Sequence, residues 1–313
     1  MKIFVTGVAG QLGHDVMNEL AKRGHEGIGT DLAPAYSGIQ DGTAVTQMDY
    51  ISLDITDKEA VHAVLTKFHP DAVIHCAAWT AVDAAEDAEN QEKVHRINAD
   101  GTAYIAAACK EIGAKMMYIS TDYVFNGQGS APWEPDCKAY SPLNVYGKTK
   151  LEGELAVSET LSNYFIVRIA WVFGKNGKKF IKTMLNLGKT RDTLSVVCDQ
   201  IGTPTYTFDL ARLLVDMIET EKYGYYHATN EGGYISWYDF TVEIFRQAAL
   251  LGHPEYDAEH MTVHPVTTAE YGISKAARPF NSRLDKSKLT ANGFIPLPDW
   301  KDALARYLKE LTF

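Results

Sequence analysis

A tyrosine and a lysine four residues apart, Tyr146 and Lys150, lie in the stretch SPLNVYGKTK that runs from Ser141 to Lys150. On a helix, residues at i and i+4 share one face, so the phenol and the ammonium point the same way. A free phenol has a pKa of about 10. A neighbouring ammonium favours the phenolate, so the pair is expected to exchange protons nearer neutrality. Thr121 ends the apolar run KMMYIST (Lys115–Thr121), where its hydroxyl is expected to hydrogen-bond a substrate oxygen. The alternative is a surface helix whose Tyr and Lys merely share a face, and the rest of the chain has to decide.

The segment TGVAGQLG places Gly7, Gly10 and Gly13 directly after the first apolar run and into helical sequence. Glycines there let the backbone turn tightly and approach a pyrophosphate seated at a helix N-terminus. The spacing is G-x-x-G-x-x-G, and Gln11 and Leu12 between the last two glycines are expected to meet the same ligand. Asp31 closes the second strand, where an acid accepts from a ribose 2′-hydroxyl and repels a 2′-phosphate. That favours NADH over NADPH. Asp54 and Ile55, in LDITD, are placed near an adenine, and Ala77, Ala78 and Trp79 near the cofactor's other half.

The elements that must position these residues follow from periodicity. Strands are read at Lys2–Thr6, Glu26–Asp31, Asp71–Ala78, Lys115–Thr121 and Tyr164–Phe173. Helices between them are read at 11–23, at 57–68 with Asp57 as N-cap, at 91–112, and over the Tyr-Lys stretch. Buried strands alternating with helices predict an α/β fold, a Rossmann-type doubly wound parallel sheet. After Phe173 the rhythm changes. A Gly/Lys-rich loop (GKNGKKF) leads to a short helix, a strand at Leu194–Val197, a helix at Thr207–Glu219 and a strand at Gly224–Thr229. A further helix opens with Ser236 and Asp239 at capping-box spacing, and a last amphipathic helix is read near Trp300–Leu311. We expect a cofactor-binding domain over 1–173, with 203–230 returning to it, and a smaller C-terminal substrate-binding lobe from 174–202 and 231–313.

Composition narrows the class. The 313 residues are 46% hydrophobic and 22% charged, with a net charge of −10 and no low-complexity tract. Interleaved acids and bases argue against nucleic-acid or anionic-membrane partners. Four scattered cysteines without a CxxC pair read as reduced thiols, and no long apolar run suggests a signal or membrane span, so a cytoplasmic protein is expected.

The glycine turn, a strand-end Thr and Tyr-x-x-x-Lys together resemble the extended short-chain dehydrogenase/reductase family. Within it, STDYVFNG, SPLNVYGKTKLEGE, RIAWVFG, DQIGTPT and RPFNSRLD look like the branch that reduces nucleotide-linked 4-keto sugars. The resemblance implies Thr121, Tyr146 and Lys150 as a catalytic triad, with Tyr146 as proton donor and Lys150 also on the cofactor ribose. It places Asp122 beside the sugar, Trp171 against substrate, and Arg283 as a candidate for the diphosphate, a structural salt bridge being the alternative. It implies hydride transfer from NADH or NADPH to the C4 keto group of dTDP-4-dehydro-6-deoxy-L-mannose, in cell-surface polysaccharide synthesis. Some members use a magnesium-assisted dimer. Here His14 and Asp15 offer no ligand set, so no metal is expected, and a monomer or homodimer stays open. The rival readings are a reductase of another nucleotide-linked 4-keto sugar and a non-catalytic, cofactor-binding regulatory subunit.

Overall fold

The computed structural model describes residues 1–177, 180–272 and 274–311. The first part runs β1 (Lys2–Thr6), α1 (Gln11–Lys22), β2 (Glu26–Asp31), β3 (Asp49–Ser52), α2 (Lys58–Phe68) and β4 (Ala72–His75). It continues with α3 (Ala88–His95), α4 (Gly101–Ile112), β5 (Lys115–Thr121), α5 (Val145–Thr160) and β6 (Tyr164–Ile169). With a seventh strand, Gly224–His227, these form one parallel sheet in the order Gly224–His227, β6, β5, β4, β1, β2, β3. Strand order reverses between β1 and β4, which opens a crevice at the carboxyl ends of the strands.

The reason for this arrangement lies in the strands themselves. β1, β4, β5 and β6 are apolar almost throughout and buried on both faces. Such strands need helices above and below. α1 and the helix Thr207–Ile218 cover one face with Val16, Leu20, Leu210 and Leu214. α2, α4 and α5 cover the other with Val61, Leu65, Ile105 and Val157. Each such side chain contributes about 1.5–3 kcal/mol by leaving water. Asp57 does cap α2, its carboxylate accepting from Ala60 N–H.

A separate core gathers Phe173 of the strand Val172–Phe173 with Ile181, Leu185, Phe240, Ile244, Leu304 and Leu308 from the helices Phe180–Gly188, Trp237–Leu250 and Trp300–Lys309. The Ser236–Asp239 capping box opens the second of these helices. Strand Thr193–Val197 pairs in parallel with Thr262–Val266 beside it. We take 1–173 and 203–230 as one unit and 174–202 with 231–313 as the other, a proposed division that these contacts support. In the Gly/Lys-rich loop, Lys178 and Lys179 lie outside the described residues.

The strand read at Asp71–Ala78 ends at His75, and three further local readings differ from the structure. β3 has no counterpart in the periodicity because its four residues are only partly buried. The run Tyr164–Phe173 is not one strand: it stops at Ile169 and resumes at Val172–Phe173, which pairs with Thr205–Tyr206. The helix read at 91–112 is interrupted by a π-helical turn at Arg96–Asp100 between α3 and α4. Both interruptions lie beside the candidate site.

Candidate active site

The glycine turn forms a cradle that no side chain could enter. Gly7 adopts φ +71°, and a Cβ there would stand 2.7 Å from Ala77 N; one on Gly13 would stand 2.3 Å from Gly7 O. Gly10 caps α1 without a side-chain bond, and the first turn carries no acid. Its free N–H groups and the helix dipole therefore favour an anion such as a pyrophosphate. A dinucleotide fits these residues. Asp31 ends β2 at the same edge, its Oδ2 accepting from Ala9 N–H at 3.0 Å and its Oδ1 from Leu32 N–H at 2.8 Å. It thus fixes the turn as well as presenting a charge. Gln11 packs on Gly177 of the loop that follows Phe173. From that loop Asn176 donates to Ala9 O at 2.7 Å, a contact that sequence spacing does not reveal.

Two expected cofactor residues also make contacts within the chain. The Leu12 side chain is buried in the sheet core, leaving only its backbone toward the turn. Asp54 accepts from the Thr56 N–H and hydroxyl at 2.9 and 2.8 Å, so its carboxylate caps a turn. Ile55 is buried with Gly101 against it. Ala77, Ala78 and Trp79 follow β4 at the carboxyl edge and are partly exposed.

Behind that edge runs a directed hydrogen-bond chain. Thr102 Oγ1 donates to Asn98 O at 2.7 Å, so it accepts from His75 Nε2 at 3.1 Å. His75 Nδ1 then accepts from Thr6 Oγ1 at 2.7 Å, and Thr6 accepts from Ala77 N–H at 3.1 Å. Burial pushes His75 down to about 3, so it stays neutral. Asn98, in the π turn, accepts from Trp79 N–H at 2.8 Å and donates to Thr149 Oγ1 on α5 at 3.1 Å. The helix interruption thus clamps the loop after β4 to α5, in keeping with the use of π-bulges at functional sites.

α5 is fixed at its start and partway along. Asn144 caps it, accepting from Gly147 N–H at 2.7 Å, and Glu86 accepts from Val145 N–H at 2.8 Å. Further along, Glu154 holds Arg168 of β6 through bonds of 2.8 and 2.7 Å, both residues fully buried. Arg168 also donates to Pro135 O and Tyr140 Oη and lies over the Phe125 and Tyr225 rings. His227 is a strand residue beside it, 3.4 Å from Arg168 Nη1. Tyr146, Lys150 and Glu154 form one i, i+4, i+8 stripe.

Lys150 Nζ donates to Ile119 O at 2.7 Å and sits 4.0 Å from the Tyr118 ring centroid. Burial lowers it to about 7, an effect that Glu154 partly offsets. Tyr146 is half-buried, edge-on to Tyr123 with ring centroids 5.6 Å apart. The expected depression of its phenol is not found: burial raises it well above the ordinary value, outweighing the facing Thr121 hydroxyl. Shared helical phase brings Lys150 to the right face, but its ammonium is engaged by Ile119 O and the Tyr118 ring.

Thr121 and Asp122 complete the chemistry. Thr121 Oγ1 donates to Asp122 Oδ1 at 3.0 Å and accepts from Tyr123 N–H at 3.3 Å. Asp122 is 2% exposed, with the Thr121 bond on its Oδ1 and the Ser282 hydroxyl also acting on the carboxylate. Burial raises it to about 6 against the pull of Ser282 and Thr121.

Trp171 occupies the break after β6 with φ +50°, a left-handed backbone costly for a bulky residue. Its indole stacks on Trp237 with centroids 3.7 Å apart, over Gly202. Arg283 donates to Asn281 Oδ1 at 3.1 Å and lies 6.0 Å from the Tyr234 ring centroid. No ion pair is found for Arg283 among the described residues. Arg278 instead makes the salt bridge in that segment, a fork onto Asp83 at 2.9 and 2.8 Å. His14 Nδ1 bonds Asp15 Oδ1 at 2.9 Å, and Thr207 donates to Asp15 Oδ2 at 2.5 Å. No cluster of three or more metal-ligating side chains occurs among the described residues. Nor, among them, is any helix long and apolar enough to cross a membrane.

The whole sequence, residues 1–313, matches the family described as RmlD substrate binding domain. A dTDP-4-dehydrorhamnose reductase of Aggregatibacter actinomycetemcomitans is 36% identical over 310 residues, covering 97% of each chain. The crystal structure of a dTDP-4-dehydrorhamnose reductase from Bacillus anthracis in complex with NADP superposes with a TM-score of 0.85 at 38% identity, covering 99% of both chains. That of a Clostridium acetobutylicum dTDP-4-dehydrorhamnose reductase gives 0.85 at 41% identity, again over 99% of both. The fold, the glycine cradle and this full-length match lead to one assignment: the chain belongs to the RmlD family, that of the dTDP-4-dehydrorhamnose reductases.

Proposed function

We propose that this chain is a nicotinamide-dependent reductase that converts the C4 keto group of dTDP-4-dehydro-6-deoxy-L-mannose to a hydroxyl, giving dTDP-L-rhamnose. The reading is supported by Thr121 at the end of β5 facing the Tyr146 phenol, with Lys150 one turn along the same helix face. The Gly7–Gly13 cradle lies at the same carboxyl edge of the sheet as the end of β5, in a chain that matches such reductases along its full length. When bound, the nicotinamide supplies the hydride. Tyr146 gives its proton to the keto oxygen. An un-ionised phenol is the form this donation requires, and burial maintains it. Lys150 lies one turn along the same stripe, where its protonated form favours the phenolate left after transfer. Trp171 and Arg283 act on the sugar and diphosphate; the Arg283 guanidinium, which pairs with no carboxylate among the described residues and spends one N–H on Asn281, keeps donors for phosphate oxygens. The Asp31 carboxylate, beside the turn, favours NADH over NADPH.

The test follows reduced-nicotinamide absorbance with this keto sugar, using NADH and NADPH in parallel. General-acid catalysis is worth roughly 10²–10⁴-fold. Tyr146→Phe should lose that much of kcat while still binding nicotinamide. Absent turnover by the native protein contradicts the substrate assignment. Undiminished turnover by the variant contradicts the role of Tyr146.

A further inference from the structure

The hydroxyl of Thr121 has one proton and two lone pairs to distribute. The proton goes to Asp122 Oδ1 at 3.0 Å, and one lone pair accepts from Tyr123 N–H. The other faces the Tyr146 phenol. In this arrangement nothing on Thr121 is left to donate, although stabilising a reducing ketone calls for a donor at its oxygen. A proton on Asp122 changes the count. A carboxylic acid donates as well as accepts. A neutral Asp122 can give its own proton to Thr121 Oγ1, which frees the Thr121 proton for a substrate oxygen.

The surroundings make such a change accessible. Asp122 is 2% exposed, and against that burial its ionised form has only neutral donors, the Ser282 and Thr121 hydroxyls and its own backbone N–H. Thr121, Tyr123, Tyr146 and Ser282 face it. The ion pair Arg278–Asp83 acts on Tyr123 from the far side. Burial brings Asp122 to about 6. An ordinary aspartate near 3.9 would remain ionised through the neutral range.

We infer that Asp122 is a positioning residue for the reduction: its protonation state sets whether Thr121 points its proton at the carboxylate or at the keto oxygen. The inference rests on the reductase reading for its consequence, but the Thr121–Asp122 coupling can be tested without it. Since the neutral acid frees the donor, reduction should quicken as pH falls through the Asp122 transition.

The experiment has two arms. In the first, protein labelled with ¹³C at aspartate carboxyl carbons is titrated by NMR, and the Asp122 signal is assigned by its loss in Asp122→Asn. Thr121→Val removes a hydrogen bond to the ionised form, so the Asp122 midpoint should rise by about one unit or more. An unmoved midpoint overturns the coupling. In the second arm, kcat for the keto sugar is followed from pH 5 to 9. The native enzyme should slow as Asp122 ionises, and Asp122→Asn, checked for folding by nicotinamide binding, should lose that inflection whichever way its amide turns. An inflection unchanged in Asp122→Asn overturns the positioning role. Native protein that shows the coupling but does not turn over this sugar contradicts the reductase reading and leaves the hydroxyl switch standing.

Discussion

Two groups of buried charge meet α5, and they are handled in opposite ways. At Glu154 the carboxylate and the Arg168 guanidinium satisfy each other through two bonds, with further partners on Pro135 and Tyr140 and aromatic rings above and below. One turn earlier, Lys150 has a single carbonyl and a ring face, and buried Asp122 has hydroxyls but no cation beside it among the described residues. In the first group the desolvation cost is met by geometry, and Arg168 is raised above its ordinary value by Glu154 against the effect of burial. The second is displaced toward neutrality, Lys150 to about 7 and Asp122 to about 6. Rigidity and reactivity are thus built one helical turn apart: the satisfied pair anchors the helix that holds the under-satisfied groups in place.

Removing one partner of the satisfied pair should have the largest effect. Glu154→Ala leaves a buried guanidinium uncompensated, a loss of roughly 3–5 kcal/mol, read by denaturant unfolding. A loss below about 1 kcal/mol would mean that the pair contributes little to holding α5. The smallest effect is expected at Arg278–Asp83, a pair of similar geometry but with Asp83 half-exposed. Exposed pairs contribute about 0–1 kcal/mol. The Arg278 hydrogen bond lowers Asp83 to about 2. Its contribution is therefore complete above the ordinary aspartate range, near 3.9, and disappears as pH falls toward 2. Asp83→Asn should be nearly neutral at pH 7 and remove that part of the acid dependence. A cost matching that of Glu154→Ala would erase the contrast between satisfied buried pairs and solvated ones.

Much of this was legible in the sequence. Continuous apolar runs made the sheet, because strands covered on both faces carry no alternation to confuse them. Gly7, Gly10 and Gly13 at the first strand–helix turn located the cradle, and at Gly7 and Gly13 a side chain would collide with backbone. Asn144 as the cap of α5 could have been read as well, lying just before the helical stretch. Other features have no one-dimensional signal. The π turn that delivers Asn98 depends on Trp79 and Thr149, which are 19 and 51 residues away. Left-handed Trp171 carries no glycine to mark it and rests on Trp237. Helical phase brought Tyr146 and Lys150 to one face, but phase says nothing of burial, and burial decides both protonation states.

The most direct test of this division of labour is the thermal stability of cofactor-free Lys150→Met against the native protein, from pH 6 to 10. Lys150 ionises near 7 in the fold against an ordinary 10.5. Folding therefore carries the full cost of its burial below pH 7, and that cost fades as pH rises toward 10.5. The account predicts that Lys150→Met loses turnover about 10²-fold or more and yet melts higher than the native protein at pH 6–7, the gap narrowing as pH rises. A variant that melts lower at every pH, by a constant margin, would show Lys150 to be a structural cation and contradict the account.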